Sequence, residues 1–183
     1  MKPDDASAAA SAARLVGKAR GFVFPAAALL NSFSTTALLL IFGLAGHPET
    51  AADIALVQAA SLALFYAFSA NARNLVLADA HDGGERAAGA LLKVRIALML
   101  PLAFATYLFG VVAGGAAASV AVLLIARRMA EWVGEIALAR HERLDQYRPA
   151  FHSLLAEALL LVLAVLLSLC FSLDLALSIL PWA

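Results

Sequence analysis

Residues 116–142 read AAASVAVLLIARRMAEWVGEIALARHE. No proline interrupts this stretch, and its apolar residues recur at helical spacing. At a rise of about 1.5 Å per residue the helix would be near 40 Å long, longer than the hydrocarbon core of a bilayer at about 30 Å. Arg127, Arg128, Glu131 and Glu135 nevertheless fall in its middle. Arg127 would lie about 17 Å along the axis from Ala116. That depth is beyond easy snorkelling to a headgroup, so the charges must pair with one another or line a cavity.

The rest of the chain is read outward from this helix. Of its 183 residues 63% are hydrophobic and 14% are charged. Soluble chains average about 45–50% apolar and about 25% charged. The surplus apolar surface calls for an apolar solvent, and the expected fold is an all-α, polytopic membrane helix bundle. Four more spans are expected: 22–46, with Pro25 in its first turn; 54–77; 96–113, with Pro101 as a candidate kink; and 151–171. The helix at 116–142 is the fourth of the five. Gly114 and Gly115 form a tight turn before it. The connections are 47–53, a polar loop 79–95, and 143–149. Asp174 and the short apolar run 175–183 look like a truncated sixth span, too short to cross as a helix. Residues 1–21 form a separate basic N-terminal segment, expected to lie along the membrane surface as an amphipathic helix. No cleavable signal pattern is present, and the first span is read as an uncleaved anchor.

The 13 Lys and Arg residues are placed unevenly. Lys2, Arg14, Lys18 and Arg20 precede span one. Arg73, Arg86, Lys93 and Arg95 flank or fill the second connection, and Arg140, Arg143 and Arg148 lie at the fourth. The first and third connections hold none. This alternation is the positive-inside pattern. It sets the N-terminus in the cytoplasm and, with five spans, the C-terminus outside, and it argues against dual topology. The formal net charge is zero, which suggests no nucleic-acid partner. The single cysteine, Cys170, has no internal disulfide partner and reads as an apolar residue.

Three polar sets lie within the spans. Asn31, Ser34 and Thr35 share one face of span one, either easing helix contact or walling a hydrophilic cavity. Asn71, Arg73 and Asn74 lie near the cytoplasmic end of span two. Arg73 either snorkels or holds a phosphate at a cavity mouth. In span four, Arg128, Glu131 and Glu135 share a face, and Arg127 lies four residues before Glu131. These residues either lock the helix to its neighbours or bind the pyrophosphate of a lipid-linked sugar. Trp132 either stacks on a sugar or packs. His47, His81, His141 and His152 are dispersed near span ends. The sequence offers no nucleophile–base pair, metal-ligand spacing or phosphate-cradling glycine loop, so neither an enzyme nor a cofactor or metal site is expected.

Residues 126–150, ARRMAEWVGEIALARHERLDQYRPA, resemble the fourth-helix region of polysaccharide flippases, the O-antigen and capsule exporters of the MATE-like superfamily. The matching positions are Arg128, Glu131, Glu135, Glu142, Arg143 and Asp145. A second match is 72–100, where Arg73, Asn74 and Asp79 precede a polar segment and Arg95-Ile96 opens the next span. The resemblance implies a multi-pass protein of the bacterial inner membrane that exports polyprenyl-pyrophosphate-linked oligosaccharide by alternating access, its arginines holding the phosphates. Together with the polar sets above, it makes Arg73, Asn74, Arg127, Arg128, Glu131, Glu135 and Asn31 the expected substrate-contacting positions. Such flippases have about twelve or more spans in two similar bundles. This chain is similar to the N-terminal bundle alone, so a second bundle or a homo-oligomer is an expected partner. The alternative is a non-transporting scaffold, an interaction subunit associated with polysaccharide synthesis proteins.

Overall fold

In a computed structural model the chain is described at residues 22–26, 29, 30, 33, 36–69, 71–79 and 85–170. The expected amphipathic segment 1–21, the polar set Asn31, Ser34 and Thr35, and the short run 175–183 lie outside the described residues. Within them the fold is all-helical, with no strand.

Residues 36–44 are helical (α1). Gly46 then turns the chain with φ +85°, a value open to glycine at little cost. Of the expected loop 47–53, all but His47 is helix instead. α2 spans Pro48–Ala67, and Pro48 stands in its first turn, where no N–H is needed. The expected second span, 54–77, is not one helix. α2 stops at Ala67, and a separate helix α3 runs Ala72–Ala78. Asn71 between them adopts left-handed backbone at φ 52°, which Asn tolerates better than most residues.

The polar stretch 79–95 is also shorter as a loop than expected. α4 spans Glu85–Tyr107 and continues as a π-helical segment, Leu108–Ala113. Pro101 sits inside α4 without ending it. Gly115, at φ +76°, makes the expected tight turn. α5 spans Ala118–Arg143, within two residues of expectation, and α6 spans Tyr147–Cys170, starting earlier than the expected 151.

Apolar residues pack in three groups along the bundle. Leu38, Phe42, Ile54, Val57, Val120 and Leu124 close the end near the Gly46 and Gly115 turns. Phe65, Leu102 and Trp132 fill the middle. Ala72, Val76, Ala88, Ile136 and Ala139 close the opposite end.

The outer surface is apolar to a degree unusual for a water-facing bundle. Leu44, Tyr66, Leu100, Phe104 and Val112 are each 65% exposed or more. Among the described residues two segments are long and apolar enough to cross a membrane, Pro48–Ala78 and Glu85–Ala113. Only 22% and 17% of their apolar windows are buried, so neither resembles the covered core helix of a soluble protein.

A buried arginine–glutamate layer

The middle of the bundle holds charge where the surface holds hydrocarbon. Three arginines come together there, one from α4 and two from α5. Arg95 is 2% exposed and Arg127 is 3% exposed. Arg128 is also largely covered.

Glu131 serves two of them. Arg127 donates from Nε to Glu131 Oε1 at 2.7 Å, the i,i+4 pairing legible in the sequence. Arg128 Nη1 lies 2.7 Å from Glu131 Oε2. One carboxylate thus holds two guanidinium groups apart at adjacent positions of the same helix. Arg127 Nη2 also lies 3.7 Å from Glu157 Oε1, which ties α5 to α6.

Glu135 behaves differently from expectation. It shares a helix face with Arg128 and Glu131, but its partner is Arg95, whose Nη2 donates to Glu135 Oε2 at 2.7 Å. The same Nη2 donates to Ser69 Oγ at 3.0 Å, and Nη1 donates to the Trp132 carbonyl. Nη2 also reaches the Ser69 carbonyl at 3.5 Å. The guanidinium carbon lies 5.0 Å from the centre of the Trp132 ring, a cation–π distance. Trp132 in turn packs edge-on against Phe65 at 5.0 Å between centroids.

Arg95 therefore bridges α4, α5 and the break between α2 and α3. A broken helix leaves carbonyl oxygens without helical donors, and the Arg95 fork supplies a donor there. Only an arginine carries enough N–H groups in a fixed plane to serve three directions at once.

The formal charges of this layer cancel: Arg95, Arg127 and Arg128 stand against Glu131, Glu135 and Glu157. Hydrogen-bond donors are nonetheless in excess. Among the described residues, Arg95 Nε, Arg128 Nε and Trp132 Nε1 are buried without an acceptor. Buried N–H groups of this kind are uncommon, and an acceptor entering the layer would satisfy them.

Arg73 and Asn74 belong elsewhere. Arg73 forms a forked pair with Glu142, with Nη2 to Oε1 at 2.7 Å and Nε to Oε2 at 3.1 Å. Asn74 Nδ2 donates to Asn71 Oδ1 at 2.9 Å. Both residues are exposed. Glu142 is about 22 Å along α5 from Arg127. The fold therefore does not gather the expected phosphate-contacting arginines at one point: Arg73 sits at one end of the bundle, and Arg127 and Arg128 sit within it. Asn31 lies outside the described residues.

Sequence reasoning missed Arg95 and Glu157 as members of the layer. Arg95 had a signal: the buried residues of α4 include Ala88, Arg95 and Leu102 at steps of seven, so Arg95 stands in the middle of the inward stripe. No group of three or more metal-ligating side chains occurs among the described residues. No family model matches the chain, and no curated protein or solved structure matches it either.

Proposed function

We propose that this chain is a polytopic membrane protein of the transporter class. In this reading it is one helical bundle of a two-bundle carrier that exports polyprenyl-pyrophosphate-linked oligosaccharide across the bacterial inner membrane. The observation that carries the reading is the buried arginine–glutamate layer set beside a broken helix inside an apolar-surfaced bundle. Ionisable groups at membrane depth are costly and mark substrate or ion paths. Discontinuous helices at that depth are a recurrent element of carrier sites.

The chemistry follows from the shared carboxylate. Arg127 and Arg128 both hold Glu131, so an incoming diphosphate competes with Glu131 for the same donors. Displacing Glu131 would leave two adjacent guanidinium groups for phosphate oxygens. Loss of the anion returns the layer to its neutral, mutually paired state. Arg73 and Asn74, at the cytoplasmic end, form a separate first contact for the headgroup. The resemblance of 126–150 and 72–100 to flippase segments supports the substrate class.

The test is a cell assay of surface polysaccharide export with Arg128→Ala, at matched protein level. A marked loss of export supports the reading. Normal export removes the site.

A second reading is favoured by one specific feature: each arginine of the layer already has a carboxylate partner. A fully paired layer serves equally well to lock helices together in a scaffold for polysaccharide synthesis proteins. Under that reading Arg128→Ala leaves export unchanged, and mild-detergent purification recovers a stable complex with a glycosyltransferase.

A further inference from the structure

A groove runs along the seam of α4 and α5, away from the arginine–glutamate layer. It is lined by Ala88, Gly89 and Leu92 on α4 and by Val133, Ile136 and Ala137 on α5, and Glu85 and Arg140 close one end. Its volume is about 340 Å³. The concavity has a plain origin in the sequence. Large residues would meet across this seam, but Ala88, Gly89 and Ala137 are small, so the helices leave a channel between the Leu92 and Val133 side chains. A Cβ built at Gly89 meets nothing within 4 Å, which shows how open the channel is.

The ends of the groove differ. Its inner part is hydrocarbon. Its outer end carries Arg140, which donates from Nη2 to Glu85. Among the described residues this is the one polar partner of the Arg140 side chain, which is 46% exposed. A guanidinium has five N–H groups, so Arg140 keeps several for a second anion. This end of the bundle also carries Arg73 and Arg143, and the positive-inside pattern sets it at the cytoplasmic leaflet, where anionic lipids give a negative surface potential.

We propose that the α4–α5 groove is a binding site for an anionic phospholipid, with one acyl chain in the channel and its phosphate on Arg140. The assignment rests on the membrane reading above and is independent of the transported substrate. An apolar channel of this size, closed at the leaflet boundary by an arginine with spare donors, matches a lipid with a charged head and an apolar tail. It does not match a soluble anion, which would gain nothing from the channel, or a peptide, which would leave its backbone groups unpaired there.

The test uses the full chain in detergent, titrated with phosphatidylglycerol or phosphatidylcholine and read by native mass spectrometry. Wild-type protein is expected to retain phosphatidylglycerol several-fold better than phosphatidylcholine. Arg140→Gln is expected to abolish that preference. Gly89→Leu, which fills the channel where a side chain meets open space, is expected to lower retention of both lipids about tenfold, equivalent to about 1.4 kcal/mol. Ala137→Leu fills the same channel from α5 and decides the matter if Gly89→Leu fails to fold. Equal retention of the two lipids by wild type, or unchanged phosphatidylglycerol retention in both filling variants, overturns the proposal. So does displacement of phosphatidylglycerol by an equimolar polyprenyl phosphate, which would assign the groove to the carried lipid. Alkaline carbonate extraction of the same membranes separates the two levels. A chain released by carbonate overturns the membrane reading, whereas a retained chain without lipid preference overturns the groove alone.

Discussion

Replacing Arg95 by methionine removes the group that joins α4, α5 and the link between α2 and α3, and the size of the effect can be worked from its contacts. Arg95 is 2% exposed and donates to Glu135, Ser69 Oγ and the Trp132 carbonyl. Breaking a buried ion pair by removing one partner costs about 3–5 kcal/mol, mainly because the other charge is left uncompensated. Glu135 is 39% exposed, not enclosed like Arg95, and the cost is taken at the lower end of that range. The Ser69 carbonyl keeps its bond from Ala72 N, so it is not orphaned. Methionine fills much of the volume, so cavity cost is small. A loss of about 3 kcal/mol corresponds to a fall in Tm of roughly 6–12 °C for a chain of this size. Thermal unfolding in detergent measures it. Hydrogen exchange should show the loss concentrated at Ser69–Ala78, the segment the arginine ties down. Arg95→Lys should give an intermediate loss, since one ammonium cannot reach all three acceptors. The double variant Arg95→Met/Glu135→Gln should recover part of the loss by removing the stranded charge. A Tm within about 2 °C of wild type for Arg95→Met, under about 1 kcal/mol, would show that Arg95 does not tie these elements together.

Other substitutions should separate the parts of the fold. Glu131→Gln leaves Arg127 and Arg128 adjacent without their shared carboxylate, and should destabilise by about 3–5 kcal/mol, more than Glu135→Gln, in the same unfolding assay. Arg73→Ala breaks an exposed pair with Glu142 and should change stability by less than about 1 kcal/mol, so any large loss of export in that variant reports on function. Gly110→Ala would place a Cβ 2.9 Å from Val57 Cγ2. Val57 is fully buried and stiff about χ1, so α2 and the π-helical segment must separate, at a cost of about 1–3 kcal/mol, read as a lower Tm.

Much of the helical plan was legible. The run from Ala116 to Glu142 has no proline and keeps apolar residues at helical spacing on both sides of its charged middle, and α5 follows it almost residue for residue. The i,i+4 pairing of Arg127 with Glu131 follows from helix geometry alone. Boundaries set by local polarity were misplaced. Residues 85–95 carry Glu85, Arg86 and Lys93 on the outer side and turn Arg95 inward, so a window average reads a loop where a helix with a buried stripe runs. The link between Ala67 and Ala72 carries no proline and no glycine, only Ser69 and Asn71 as turn formers. It is held by Arg95, 26 residues away, and by contacts with α5 that no local pattern encodes. The same reason hid the exchange of partners at Glu135: i,i+4 arithmetic finds neighbours on one helix, whereas the α4–α5 packing brings a stronger partner from outside it.

In the proposed reading the apolar surface of this bundle faces lipid, with its turns on opposite sides of the membrane. Single cysteines in a Cys170→Ser background, labelled with a membrane-impermeant maleimide, distinguish the two sides. Glu49→Cys and Ser119→Cys, both at exposed positions beside the Gly46 and Gly115 turns, should label in intact spheroplasts. Gln146→Cys, at the exposed turn between α5 and α6, should label only after lysis. Equal labelling of all three before lysis, or recovery of the chain in the soluble fraction without detergent, would show that the turns do not lie on opposite sides of a membrane.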